Sequence, residues 1–195
     1  MKTPKVITNA RWLTNNFIEL PEAEAEPTII VVSGLPGTGK SYFCRRLAER
    51  LPFLILESDA LRKRLFPEPK YTAEESASLF RAIYQLIVDL LKKGIPVILD
   101  ATNLEERYRE RIYNIAENVD AKLIMVSVKA PPELVQKRLK KRLENKNIHD
   151  NSDADWAVYQ KMKPRVERIR RKHFSVGTSQ DITPVIDKVV REVKR

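Results

Sequence analysis

Residues 29–41 read Ile-Ile-Val-Val-Ser-Gly-Leu-Pro-Gly-Thr-Gly-Lys-Ser, and this stretch carries the strongest indication of the fold. Its first four residues are all β-branched, which is typical of a strand buried on both faces of a parallel sheet. The remainder, Gly34 to Ser41, fits the spacing G-x-x-x-x-G-K-[ST], and the residues that follow favour a helix. The pattern therefore predicts a strand, a phosphate-binding loop (the P-loop) and a helix in direct succession.

The P-loop motif also predicts the ligands. Its glycines permit backbone conformations that turn successive N–H groups inward, where they and the helix N-terminus bind phosphate oxygens. Lys40 can reach the β- and γ-phosphates of a nucleotide, and the Ser41 hydroxyl can ligate magnesium. We therefore expect ATP and Mg2+ to bind here. The residues predicted to contact the nucleotide are Gly34, Pro36, Gly37, Thr38, Gly39, Lys40, Ser41 and Tyr42.

Strands and helices alternate along the rest of the chain. Further strands are predicted at 53–56, 97–99, 121–128 and 174–178. Helices are predicted at 40–50, 59–65, 104–118, 131–145 and 183–194, together with a Thr72-capped helix to 93 and one from 153 into the 160s. This alternation predicts a three-layer α/β fold with a five-stranded, mainly parallel sheet. Residues 28–195 are interpreted as that domain, and 1–27 as a helical extension with an acidic linker.

Two polar side chains follow the second predicted strand. Asp59 and Arg62 are three residues apart at the start of a helix, so both can project from one face. A carboxylate there can accept the proton of an attacking hydroxyl, and an arginine can hold a substrate phosphate. The alternative interpretation is that Asp59 caps the helix and Arg62 is a surface cation.

The third predicted strand ends in a carboxylate. Asp100 follows an apolar run, which is the Walker B pattern that orients magnesium or its water shell, although Asp100 can instead position the substrate. Thr102 and Asn103 continue the same edge and are expected to hydrogen-bond a substrate or a phosphate. Their alternative role is to cap the helix that begins near residue 104.

A basic helix precedes a polar loop in the second half of the chain. Arg138 and Arg142 are four residues apart and share a face of this helix, where one can stabilise charge on a transferring phosphoryl group and the other can stack on adenine. The loop 145–152 is interpreted as the tip of a helical lid spanning about 138–160. His149 in this loop and His173 are expected to be surface residues.

The charge distribution is uneven. The formal net charge is +10, and residues 133–172 hold 13 Lys or Arg against 6 Asp or Glu. A concentrated basic surface suggests a polyanionic partner, with a solvated helix face as the alternative. Cys44 is the only cysteine and is expected to be a core thiol. Because no signal peptide or apolar run of about 18 residues is present, no membrane contact is expected and a cytoplasmic location is favoured.

Four segments together resemble a known group of enzymes: SGLPGTGKS, ESDALRKRL, VILDATNLEERYRERI and RLKKRLENKNIHDNSDADWAVYQKM. They are similar to the predicted-kinase branch of the P-loop ATPases, and to the kinase domain of polynucleotide 5′-hydroxyl kinases in particular. The resemblance covers about residues 28–178. It implies that Lys40 and Ser41 act on ATP and magnesium, that Asp59 is the general base, and that Arg62 contacts the acceptor's phosphate.

The same resemblance assigns roles to the later motifs. Asp100, Thr102 and Asn103 match the D-x-T-N stretch of this family on the acceptor side. Arg138 and Arg142 match its Arg-x-x-x-Arg lid pair, the first nearer adenine and the second nearer the transferring phosphate.

The expected activity is transfer of the ATP γ-phosphate to an acceptor hydroxyl, and the favoured acceptor is a 5′-OH polynucleotide. One alternative is a kinase for a small molecule such as a sugar, nucleoside or antibiotic. Another is a nucleotide-binding switch or RNA-binding ATPase without an acceptor hydroxyl. A general base at Asp59 distinguishes a kinase from a switch. The sequence leaves the oligomeric state open.

Overall fold

Five strands form one sheet at the centre of the protein. The structure is a computed structural model that describes residues 20–23, 26–144 and 151–195. The strands are β1 (Thr28–Ser33), β2 (Leu54–Glu57), β3 (Val97–Asp100), β4 (Lys122–Lys129) and β5 (Phe174–Gly177). Their order is β2-β3-β1-β4-β5, and every pairing is parallel. The predicted five-stranded sheet is therefore confirmed, and it is parallel throughout the described residues.

Strand β1 lies in the middle of this sheet because its side chains are buried on both faces. All six of its residues are buried, and Ile29 lies beside Val97 of β3 and Leu123 of β4. The strand order changes direction here, since β3 and β2 lie on one side of β1 and β4 and β5 on the other. The carboxyl end of β1 is therefore the topological switch point at which open α/β sheets bind ligands.

Seven α-helices connect or follow the strands within the described residues. They are α1 (Lys40–Ala48), α2 (Ser58–Leu65), α3 (Ala73–Lys92), α4 (Glu106–Asn118), α5 (Pro132–Glu144), α6 (Trp156–Met162) and α7 (Thr183–Val193). Most ends fall within two residues of the predicted ones. Helix α6 begins three residues later than expected because Asp155, rather than Asp153, caps it by accepting a hydrogen bond of 2.8 Å from Val158 N. A 3-10 turn at Lys163–Arg165 follows it, where Pro164 cannot continue the helical hydrogen bonds.

The helices cover both faces of the sheet, which confirms the predicted three-layer α/β architecture. On one face, α3 and α4 pack against alternate strand residues such as Val31 and Leu99. On the other face, α1 and α7 pack against Val32 and Ile98. Cys44 on α1 is fully buried in this second cluster, so the expectation of a core thiol is confirmed, and burial raises the pKa of its thiol.

Helices α5 and α6 form a smaller third cluster beside the P-loop. Val135 and Leu139 of α5 pack there with Tyr159 of α6, whose ring stacks on that of Trp156 at 4.7 Å. These helices occupy the region predicted as the lid, but residues 145–150, including His149, lie outside the described residues. The predicted N-terminal helix likewise falls on residues 1–19, which are not described.

None of the helices in the described ranges combines the length and apolar composition needed to cross a lipid bilayer.

Candidate nucleotide and acceptor site

The P-loop follows β1 and leads directly into α1, and its glycines are needed for steric reasons. A Cβ on Gly34 would lie 2.4 Å from Val128 O of the neighbouring strand, closer than any side-chain carbon can approach. Gly37 and Gly39 have φ of 75° and 94°, a left-handed backbone region that favours glycine. Gly34 N also donates to Thr102 O at 3.0 Å, so the loop is tied to the turn after β3.

Polar side chains hold the loop in shape from within. Thr38 is buried, and its hydroxyl donates to Leu35 O at 2.7 Å. The Lys40 ammonium crosses the loop and donates to the same carbonyl at 3.1 Å. The positive charge of Lys40 therefore lies at the loop that the sequence predicts to bind phosphates.

A cavity of about 570 Å³ opens in front of the loop. It brings together most of the predicted site residues, and this is the size range of small-ligand pockets. Those that line it are Pro36, Gly37, Gly39, Lys40, Ser41, Tyr42, Asp59, Arg62, Asp100, Thr102 and Arg142. The lining of this cavity does not include Gly34, Thr38, Asn103, Arg138 or His173.

Asp100 ends β3 at the base of this cavity. Its side chain is buried beside the Ser41 hydroxyl, and one of its oxygens, Oδ2, has no hydrogen-bond partner among the described residues. Burial raises the pKa of this carboxyl, while the Lys40 ammonium and the Ser41 hydrogen bond oppose the rise. A hydroxyl and a carboxylate oxygen side by side fit the oxygen ligands that Mg2+ prefers. In the described residues, no set of three or more acidic, histidine or cysteine side chains forms a metal cage.

Asp59 and Arg62 both reach the cavity from the first turns of α2, but their surroundings differ. The N-cap of α2 is Glu57, and no side chain makes a capping hydrogen bond there. The alternative interpretation, in which Asp59 caps the helix, is therefore wrong. The Arg62 guanidinium forms an ion pair with Glu75 of α3, and both side chains are less than 10% exposed, at 8% and 9%. Arg62 is therefore not the surface cation of the alternative interpretation, and its charge is already paired.

Asn103, which was predicted to bind the substrate, does not line the cavity. Its side chain is buried and donates from Nδ2 to Val32 O at 3.2 Å, so the amide faces the interior and not the acceptor. The residue also has a φ of 45°, which places it at the corner of the turn after β3. Asn103 therefore shapes the turn, while Thr102 remains on the cavity wall. Neither residue caps α4, whose N-cap is Glu105.

Arg109 fixes the same turn from below, a role that the sequence analysis missed. Its side chain is fully buried and donates to Asn103 O at 2.8 Å and to Leu104 O at 2.6 Å. It also donates to the backbone carbonyls of Glu167 and Arg168. Its place in the helical pattern of α4 resembled that of any surface arginine, because only the tertiary fold brings these carbonyls around it.

The two arginines of α5 have different positions. Arg142 lines the cavity, as the predicted lid pair requires. Arg138 lies against the outer side of the P-loop, where its guanidinium donates to Thr178 Oγ1 and Thr178 O, both at 2.8 Å. Arg138 therefore ties the P-loop to the turn after β5, and in this arrangement it does not line the predicted nucleotide cavity.

Further polar residues that line the cavity were also missed. Glu57 ends β2 directly beside Asp100 in the strand register, and burial raises the pKa of its carboxyl. It accepts a hydrogen bond of 3.1 Å from Asn151, and Asp153 accepts one of 3.0 Å from Lys63. Asp153 also accepts from the Tyr71 hydroxyl. The segment before α6 is therefore hydrogen-bonded to the end of β2, to α2 and to the loop before α3. A charged residue ending a buried strand was the available signal for Glu57.

A family model described as an AAA domain matches residues 29–169, which is most of the chain. The chain belongs to this AAA domain family. It is 30% identical over 142 residues to an L-seryl-tRNA(Sec) kinase of Methanococcus maripaludis, covering 67% of this chain. The chain spans 54% of the length of that relative.

Solved structures agree on the fold of this AAA domain protein. The APS kinase CysC of Mycobacterium tuberculosis, in complex with AMPPNP and APS, superposes with a TM-score of 0.67 at 15% identity, covering 88% of this chain and 100% of that one. Kti12 of Chaetomium thermophilum, in complex with ADP-AlF3, gives 0.67 at 22% identity, covering 83% and 96%. The AAA domain protein has the P-loop kinase fold.

Proposed function

We propose that this AAA domain protein transfers the γ-phosphate of ATP to a hydroxyl carried by a polynucleotide, with a 5′-OH as the favoured acceptor. The observation that carries the proposal is the composition of one cavity. Lys40 and Ser41 of the P-loop, Asp59 of α2 and Asp100 of β3 all line it. Residues able to bind a phosphate donor and a carboxylate able to accept a proton therefore face the same cavity, which is the arrangement that phosphoryl transfer to a hydroxyl needs.

On the donor side, Lys40 binds the terminal phosphates, and Ser41 with Asp100 holds the magnesium site. Magnesium, when bound, neutralises charge on the phosphates. The Ser41 hydroxyl and the Asp100 carboxylate line the same cavity, so both can face one cation. Arg142, from the lid side of the cavity, stabilises negative charge on the transferring group.

On the acceptor side, Asp59 accepts the proton of the attacking hydroxyl. Arg62 contacts a phosphate of the acceptor only if Glu75 gives up part of its ion pair with it. Thr102 orients the acceptor from the opposite wall. The proposed donor-side groups thus lie on the P-loop and β3, and the proposed acceptor-side groups lie on α2 and the turn after β3.

A polynucleotide acceptor is supported by charge and by similarity. Residues 133–172 carry 13 Lys or Arg against 6 Asp or Glu, and such a surface favours a polyanion. The L-seryl-tRNA(Sec) kinase relative is named for a substrate joined to RNA. This similarity also favours a second candidate, a hydroxyl of an aminoacyl group carried by RNA. In both cases the acceptor is attached to a nucleic acid.

The test is a phosphorylation screen with γ-labelled ATP. The acceptors are 5′-OH DNA and RNA oligonucleotides, aminoacylated and free tRNA, and a panel of sugars, nucleosides and antibiotics. We expect label on 5′-OH ends or on aminoacyl-tRNA. Label on small molecules alone would refute the polynucleotide acceptor, and ATP hydrolysis without any labelled product would refute the kinase.

Two matched variants test the base. Asp59→Asn should abolish transfer while nucleotide binding survives, because it removes only the proton acceptor. Asp89→Asn on α3 makes the same chemical change at an exposed hydrogen bond to Gln85, outside the cavity lining, and should leave both properties unchanged. Full transfer by Asp59→Asn would contradict the assignment.

A further inference from the structure

Residues 161–172 form a cationic strip that begins at the cavity and continues away from it. They hold seven Lys or Arg and one acidic residue, Glu167, so they contribute +6 to a net charge of +10. The strip comprises the end of α6, the 3-10 turn and the loop before β5. Lys161 and Arg165 line the cavity, which makes the strip continuous with the proposed acceptor side.

The backbone of the strip is fixed on the protein. Glu167 N donates to Leu104 O at 3.0 Å, and the Arg109 guanidinium donates to the carbonyls of Glu167 and Arg168 at 3.1 and 3.2 Å. Ile169, the residue after Arg168, is buried in the hydrophobic core. The backbone of the strip is therefore anchored by hydrogen bonds to Leu104 and Arg109, beside the turn that carries Thr102.

The single acidic residue of the strip faces the protein. The Glu167 carboxylate accepts a hydrogen bond of 2.6 Å from Glu106 N at the start of α4, so it serves as a partner for the helix N-terminus. Three cations of the strip are paired with acids elsewhere, through Arg165–Glu105, Arg171–Glu117 and Lys172–Glu192.

Four cations of the strip are exposed and belong to none of the ion pairs among the described residues. They are Lys161, Lys163, Arg168 and Arg170. Like charges gathered within ten residues repel one another, so their accumulation costs stability unless an anion relieves it. The exposed large apolar side chain in this strip is Val166, which is 50% exposed. No aromatic residue occurs between residues 160 and 173.

We propose that this cationic strip binds the phosphate backbone of a single-stranded polynucleotide whose end enters the cavity. The inference rests on the proposed function and extends it, because it assigns the path that the acceptor follows outside the active site. Contacts by Lys and Arg to phosphates position a strand without reading its bases, and the strip has no aromatic ring on which bases could stack. Binding is therefore expected to be independent of sequence.

Other polyanionic partners fit the strip less well. A membrane surface is bound by amphipathic helices with an apolar face, whereas this strip is a turn and an irregular loop. A protein interface depends on buried aromatic or apolar anchors, and the strip exposes only Val166. A cavity of about 570 Å³ admits a small group, so only the end of a strand can enter it.

Two charge-matched variants test the strip. The strip variant is Lys163→Gln, Arg168→Gln, Arg170→Gln, which avoids the cavity-lining Lys161. The control variant is Lys188→Gln, Arg191→Gln, Lys194→Gln, which removes the same three charges from exposed positions on α7 and at its C-cap, on the opposite face of the sheet from α4. Affinity for a short, 3′-labelled single-stranded RNA is measured by fluorescence anisotropy over a range of KCl concentrations.

Loss of three phosphate contacts should lower the slope of log affinity against log salt by about two, since each contact to single strands contributes about 0.7. Between about 50 and about 200 mM KCl, the wild type should then lose about 20-fold more affinity than the strip variant. The control variant should keep the wild-type slope. An unchanged slope in the strip variant, an equal loss in the control variant, or equal competition by polyglutamate would each overturn the proposal.

Activity separates this inference from the proposed function. If transfer occurs, the strip variant should raise the KM for the oligonucleotide and leave kcat and ATP binding unchanged. Equal KM values in both variants would overturn the strip while the kinase stands. Conversely, a difference in salt slope without any labelled oligonucleotide would support the strip as a nucleic-acid surface and refute the 5′-OH acceptor.

Discussion

Replacement of Glu75 by Gln tests the largely buried ion pair with Arg62. Glu75 is 9% exposed, and its carboxylate accepts from the Arg62 guanidinium and from Lys70 N at 2.6 Å. Gln keeps an acceptor for the backbone donor but leaves a guanidinium, 8% exposed, without its counter-charge. Breaking a buried pair on one side costs about 3 to 5 kcal/mol, and the retained acceptor places Glu75→Gln near the lower end, about 3 kcal/mol.

The partner substitution Arg62→Met should cost less. It leaves the Glu75 carboxylate with hydrogen bonds from Lys70 N and Tyr71 N, and Met fills much of the volume of the arginine stem. We expect a loss of about 2 kcal/mol. In the double variant both charges are absent, so the total should be about 3 kcal/mol and not about 5, a coupling of about 2 kcal/mol.

The assay is urea unfolding of the wild type, both single variants and the double variant, followed by circular dichroism at one pH and salt concentration. The free energies of unfolding close a double-mutant cycle. Additive effects, with a coupling below about 0.5 kcal/mol, would refute the reasoning that the two groups stabilise each other. The same variants separate the functions of Arg62, because an acceptor ligand would raise the acceptor KM in Arg62→Met but not in Glu75→Gln.

Three more predictions follow from single residues. The Tyr84 hydroxyl is buried without a hydrogen-bond partner among the described residues, and burial raises its pKa from 10 to about 12. The unfolded chain therefore ionises first, so this contribution to stability is complete below pH 10 and falls by about 2 to 3 kcal/mol as pH rises to about 12. Tyr84→Phe should remove that part of the decline in urea titrations across this range, and an identical decline would contradict it. Gly34→Ala places a Cβ 2.4 Å from Val128 O and should weaken nucleotide binding at least about tenfold by calorimetry. Gly177→Ala, whose Cβ meets nothing within 4 Å, is the matched control, and equal binding by both variants would refute the steric argument. Arg109→Met removes five hydrogen bonds from a fully buried side chain and should lower stability by about 3 to 5 kcal/mol, or Tm by roughly 10 °C in thermal melts, with Arg109→Lys intermediate. A Tm within about 2 °C of wild type would contradict that role.

Local patterns predicted the elements well. The uninterrupted β-branched run 29–32 forms the central strand, and Thr72 caps α3 by accepting a hydrogen bond from Glu75 N at 3.1 Å, as expected. The Glu75 side chain, by contrast, pairs with Arg62 of α2. The Thr72 cap was predictable because it joins residues three apart in sequence. The Arg62–Glu75 ion pair was not predictable because it joins two different helices.

For the candidate site, too, the sequence predicted features that depend on local pattern but not those that depend on tertiary contacts. Asp59, Asp100 and Thr102 were placed at strand ends by sequence, and the parallel sheet gathers all strand ends at one edge, so they line one cavity. Asn103 and Arg138 do not line this cavity, because a side chain one residue further along a turn, or one helical turn away, can face a different way. Which way each faces depends on packing partners that are distant in sequence.

The sequence by itself determined the parallel α/β fold, the P-loop and the likeness to kinases, since periodicity, glycine spacing and strand-end charges act through neighbouring residues. Only the tertiary structure decided that Arg62 is paired, that Asn103 and Arg109 build the turn beneath the acceptor side, and that the cationic strip leads into the cavity. The physical reason is that burial and charge pairing depend on contacts between residues tens of positions apart, which spacing along the chain does not encode.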